Sequence, residues 1–248
     1  MTDTLLGLLT VENLLVVLIT FTGGFVRGYT GFGNGLVMAP LLSLFWGPVE
    51  AIAVTVGLGF AGLVQIVRPA IPLVVWREVG PMTFAALVFT PIGTYFLVSL
   101  DPEIVKKIIA AAVLVVTLIT LRGWNYTGPR GPIPSIMAGG LGAMINGVAG
   151  VGGPPIVLYL MSAREDARVL RANIVIIMGI MGIAVFLSII TAGEMSAHSL
   201  LRIAGLVVPF GGGVWLGARM FNVLPGKVFR LIILWMLVAI SVSILVAS

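Results

Sequence analysis

The chain has 248 residues, 59% of them hydrophobic and 9% charged. Soluble chains carry about 25% charged residues, so a water-soluble globular domain is excluded. The net charge of +5 sits at the ends of apolar runs rather than on a basic face, which reads as membrane topology and not as nucleic-acid binding. An unpaired backbone cannot face lipid, and these runs are too long for barrel strands, so the fold class is an all-α integral membrane protein. Cysteine is absent. Disulfides, thiol catalysis and iron–sulfur ligation are therefore excluded, and no cofactor is expected.

In chain order, Met1-Thr2-Asp3-Thr4 has no basic stretch, so the first apolar run reads as a retained helix rather than a cleaved signal. That helix covers 11–26. A glycine-dense break follows, Gly28-Tyr29-Thr30-Gly31-Phe32-Gly33-Asn34-Gly35, then a short apolar piece at 36–46. After a turn at Gly47-Pro48, a helix covers 51–67. Residues 70–78, with Pro72, Trp76 and Arg77, read as interfacial. Helices at 79–100 and 104–121 complete a first half, 1–121. Asp101-Pro102 between them is a cap followed by a proline suited to the first helical turn.

The polar linker 122–132 contains Gly128-Pro129-Arg130-Gly131-Pro132 and separates a second half, 133–248, built to the same plan. A helix at 133–148 leads into a second break, Gly147-Val148-Ala149-Gly150-Val151-Gly152-Gly153-Pro154-Pro155. A short piece at 154–162, a charged loop, and helices at 172–192, 200–221 and 228–247 follow. Shifting the first break by 119 residues lays Gly23, Gly28, Gly31 and Gly33 on Gly142, Gly147, Gly150 and Gly152. This is the mark of a duplicated unit. Pro91-x-Gly93 and Pro209-x-Gly211 recur in the same way, at matching places for helix kinks.

Ten hydrophobic segments result, five per half. If all ten cross, alternate loops hold 11 and 3 of the 14 basic residues. If the two short pieces re-enter while their neighbours cross, the split is 9 to 5. The positive-inside rule favours ten segments in the cytoplasmic membrane with both termini extracytoplasmic. An odd number per half makes the halves inverted repeats. The short pieces fall below the roughly 20 residues that spanning needs, so each is expected to complete a crossing with a neighbour as a broken helix.

A helix that starts inside the bilayer presents N–H groups without partners and the positive end of its dipole. That is an anion site, and glycine lets a ligand approach the backbone closely. Gly31, Gly33, Gly35, Gly150, Gly152 and Gly153 are the candidate backbone residues. Thr30, Asn34, Asn146 and Tyr159 are candidate side-chain partners. Arg27 adds charge beside the first break, where the second has Asn146. Arg171 is a candidate anion-gate residue, with an interfacial positive-inside charge as the plainer reading. The competing account of the glycines is close helix packing, and Gly24-x-x-x-Gly28 fits it. A dinucleotide loop is disfavoured, because neither break reads G-x-G-x-x-G and no P-loop lysine follows. His198 is the sole histidine and reads as part of a solvated turn.

The paired motifs resemble those of the TauE/SafE, or sulfite exporter, family of permeases. The first reads Gly-Phe-Gly-Asn-Gly, with Asn34 in place of a more usual glycine. The second reads Gly-Val-Gly-Gly-Pro-Pro with Arg171-Ala172-Asn173 downstream. The resemblance spans nearly the whole chain and implies movement of small anions, with sulfite and organosulfonates as family substrates. The expected function is a secondary transporter of a small anion, working by alternating access and exporting it. An anion channel built on the same site and a membrane-embedded enzyme are the alternatives. The expected partners are the small anion and the lipid bilayer, with no nucleic acid. Oligomeric state is left open.

Overall fold

Proline, glycine and short polar caps set the helix boundaries. The computed structural model describes residues 11–123, 126–163 and 165–221, with isolated positions 235, 238, 241 and 242. The helix expected at 228–247 lies outside the described residues. Nine α-helices are described: α1 (Val11–Thr30), α2 (Asn34–Trp46), α3 (Pro48–Ala70), α4 (Trp76–Ser99), α5 (Pro102–Leu121), α6 (Pro132–Ala149), α7 (Gly153–Met161), α8 (Ala167–Thr191) and α9 (Ala197–Met220). Proline opens α3, α5 and α6, where its missing N–H is not needed. Asp101, Asp166 and Ser196 cap α5, α8 and α9, each accepting a backbone N–H. The 70–78 stretch is a 3-10 turn, Ile71–Leu73, followed directly by α4.

Seven of these helices are long and apolar enough to cross a membrane, all except α2 and α7. Their outward faces carry large apolar side chains such as Leu18, Phe84, Val208 and Trp215, as a chain surrounded by lipid requires. The protein is a multi-pass membrane protein. Corresponding helices open 119 positions apart: Asn34 and Gly153 begin α2 and α7, and Pro48 and Ala167 begin α3 and α8.

Two helix pairs make the closest backbone contacts, and glycine permits both. On α1 a Cβ at Gly24 or Gly28 would overlap the backbone of Phe210 or Val214 of α9. On α9 a Cβ at Gly213 or Gly217 would overlap Phe21 or Phe25. Residue numbers rise together along both, so α1 and α9 run parallel. The same holds for α6 on α4, where Gly139 meets Met82 and Gly147 meets Thr90 and Thr94. This packing carries α1 through Gly23, Gly24 and Gly28, past the helix end expected at 26. The first break shrinks from eight residues to Gly31, Phe32 and Gly33.

The ends of the bundle show where the short helices go. At one end Glu50, opening α3, bonds to Ser199 and Arg202 at the start of α9, and Arg202 stacks on Trp46 at the end of α2. Because α1 runs parallel to α9, α2 ends where α1 begins. At the other end Glu78, opening α4, pairs with Arg130, which also bonds to the Tyr159 carbonyl and to Ser162 at the end of α7. Hence α7 ends where α6 begins. Both short helices run back toward the end where the helix before them begins, which is the direction that the ten-segment reading gives them. Among the described residues the chain forms two antiparallel helix–break–helix units, hairpins that open from opposite ends of the bundle.

Candidate functional site

The hairpin tips meet inside the bundle. A Cβ at Gly35 would overlap the Gly150 carbonyl oxygen, and one at Gly153 would press on the Phe32 ring. Each tip starts from a left-handed glycine that ends the incoming helix. Gly31 has φ 86° and Gly150 φ 70°, and their N–H groups donate to the Arg27 and Asn146 carbonyls at 2.7 and 2.9 Å. Left-handed glycine suits that position because a Cβ there is strained. The outgoing helices then start without a side-chain cap on either Gly33 or Gly152.

A small cavity, open on one side, lies beside the tips. Thr55, Gly59, Phe60 and Leu63 line it from the middle of α3, and Met178, Gly179, Gly182 and Ile183 from the middle of α8. Of the expected site residues, Arg27, Gly33, Asn34, Gly35, Asn146, Gly150 and Gly153 also line it. The start of α2 contributes Asn34, Gly35 and Leu36, and the start of α7 contributes Gly153, so two positive helix ends border one space.

Arg27 sits in the last turn of α1 and is 5% exposed. Its Nη1 donates to Asn34 Oδ1 at 3.0 Å, and Asn34 Nδ2 donates to the Thr55 carbonyl at 3.1 Å. Gly59 leaves room for this arrangement: a Cβ there would stand 3.2 Å from Asn34 Nδ2 and 3.5 Å from Arg27 Nη1. Two polar atoms at the cavity have no partner, Arg27 Nε and Thr55 Oγ1. Among the described residues no cluster of His, Asp or Glu suits a metal ion.

Five expected site residues stand elsewhere. Thr30 Oγ1 donates to the Val26 carbonyl at 2.8 Å and accepts the Phe32 N–H at 3.2 Å, so it shapes the tip. Gly31 backs onto Val175 and Arg171. The Gly152 N–H, expected to be free for a ligand, donates to Asn146 Oδ1 at 3.2 Å. Tyr159 turns its hydroxyl to Ser135 at 2.9 Å and to Gly131, between α6 and α7. Arg171 reaches from α8 to the Gly28 carbonyl at 2.6 Å and lies over the Phe221 ring. It braces the end of α1 outside the cavity. Asn173, two residues on, accepts the Val75 N–H at 2.8 Å and fixes the turn before α4.

The family model described as Sulfite exporter TauE/SafE matches residues 16–244. No curated protein and no solved structure matches the chain.

Proposed function

The chain belongs to the TauE/SafE family of sulfite exporters, and from that premise we propose that it carries a small anion, sulfite or an organosulfonate, through the cavity between the hairpin tips. The observation that carries this reading is the convergence of two uncapped helix starts and a buried, partly unpaired Arg27 on one space at the middle of α3 and α8. A guanidinium and two helix starts bordering one cavity favour an oxyanion. The two halves, 1–121 and 133–248, act as inverted repeats that rock about this site and expose it to each side in turn. Contact between the tips closes the straight path between the bundle ends, which favours a carrier over an open pore.

Orientation follows from the bundle ends. The Glu78 end gathers Arg68, Arg77, Arg122, Arg130 and Arg168, while the Glu50 end has Lys106, Lys107 and Arg202. The Glu78 end faces the cytoplasm of the cell membrane, and both chain termini lie outside. An anion leaving a negative interior gains about 2.3 kcal/mol per charge per 100 mV, which favours the outward direction.

The test is calorimetric binding of sulfite, sulfate, methanesulfonate and acetate to the purified chain, wild type and Arg27→Gln. At least one anion is expected to bind. Arg27→Gln is expected to weaken it roughly 10- to 150-fold, the worth of about 1.5–3 kcal/mol in a charge-assisted hydrogen bond. No binding by the whole panel, or equal affinity in the variant, rejects the site.

A further inference from the structure

The charge inventory of the cavity bears on how such a carrier cycles, an inference that rests on the anion-carrier reading above. Arg27 is 5% exposed, and the acceptor it reaches is the neutral amide of Asn34. Among the described residues no acidic side chain lines the cavity. The described carboxylates stand at helix ends instead. Glu50 and Glu78 pair with Arg202 and Arg130, and Asp101 and Asp166 cap helices. The residue matching Arg27 in the second half is Asn146, which is neutral and bonded to the Gly152 N–H. The other inward-reaching cation, Arg171, is held by the Gly28 carbonyl and the Phe221 ring outside the cavity. Among the described residues the site therefore holds one positive charge and no counter-ion.

We infer that the protein works preferentially as an anion exchanger, in which a bound anion lets the site pass through its closed intermediate far faster than the empty site does, in either direction. A loaded site with a monovalent anion is neutral and crosses the closed state without a bare charge. An empty site carries Arg27 alone through the same state. Placing an uncompensated guanidinium at bilayer depth slows that step by on the order of a hundredfold. A returning anion removes the penalty, so outward and inward anion movements are linked. A proton cannot substitute, because no described carboxylate or histidine stands beside Arg27 to carry it. His198 lies at the start of α9, at the Glu50 end. The exchanged species share one chemistry, a small anion with oxygen acceptors for the guanidinium and the two helix starts.

The experiment uses the full chain in proteoliposomes loaded with ³⁵S-sulfite or ³⁵S-methanesulfonate, the latter monovalent at every working pH. Efflux is followed with and without the same unlabelled anion outside, at zero membrane potential. External anion is expected to speed efflux at least tenfold in the wild type. Arg27→Gln is expected to abolish that stimulation, net and exchange efflux becoming equal. A second measurement needs no variant. An inside-negative potential should speed net methanesulfonate efflux, because the empty return carries one positive charge inward, and should leave methanesulfonate exchange unchanged. Equal net and exchange rates in the wild type, full stimulation in Arg27→Gln, or potential-independent net efflux overturns the exchanger while leaving the carrier in place. No flux of either anion in either mode overturns the carrier and the exchanger together.

Discussion

Burying a guanidinium in mid-bilayer costs at least about 2.5–3.5 kcal/mol, and Arg27 meets that cost with a neutral partner in Asn34. Asn34→Asp would supply a resident counter-ion at the same place. The expected outcome is a melting temperature in detergent at or above that of the wild type, with anion binding weakened about 100-fold or more, since the new carboxylate occupies the guanidinium and repels the ligand. Anion binding retained at the wild-type level would mean that Arg27 faces no ligand. Arg27 and Asn34 are legible in the sequence because polar residues beside a glycine break have few other uses in lipid. Thr55 and Gly59 are not. A threonine in an apolar helix usually bonds a carbonyl one turn back, as Thr94 and Thr117 do to Thr90 and Val113. Only the structure shows that the Thr55 hydroxyl lacks such a partner. Tyr159 is the opposite case, a phenol that looks available in the sequence and is already bonded to Ser135.

At the scale of elements, glycine does two jobs that sequence alone does not separate. Gly24, Gly28, Gly213 and Gly217 stay helical and let backbones touch, whereas Gly31 and Gly150 take left-handed conformations and end helices. The offset of 119 residues aligns both kinds, so the repeat is legible while the roles are not. Gly35 belongs to the tip contact. Gly35→Ala would drive a methyl into the Gly150 carbonyl, where neither backbone can yield cheaply. A loss of roughly 1–3 kcal/mol or more is expected, read as a clear fall in melting temperature and loss of transport. Gly205→Ala is the matched control, because a Cβ there meets nothing within 4 Å and the residue does not line the cavity. It should stay within about 0.5 kcal/mol of wild type. The heading of α2 and α7 is legible from the basic-residue count, but what anchors their far ends is not, because those contacts, Arg202 on Trp46 and Arg130 on Tyr159, join residues far apart in sequence.

Across the whole molecule, the hairpins explain why basic-residue counting favours ten crossings although two segments are too short to cross. A helix that enters and a helix that returns leave the chain on the side it came from, as two full crossings would. Every loop then keeps the side it has in a ten-segment scheme, and the two schemes differ only in the depth of the two tips. Treating the short pieces alone as re-entrant leaves α1 and α6 as single crossings and inverts the chain between the two hairpins, which is why that count weakens. Because the chain has no cysteine, single cysteines can test this without background. Lys107→Cys and Arg122→Cys, both exposed at opposite ends of α5, should react with an impermeant maleimide from opposite sides of the membrane. Phe32→Cys, at the first tip, should react at least tenfold more slowly than either and be slowed further by the bound anion, because the reagent must enter through the cavity it lines. A Phe32→Cys that reacts as fast as Arg122→Cys, from the same side and regardless of anion, would place the first break at the membrane surface. The chain would then cross at α1, and both the hairpin and the buried site built on it would fall.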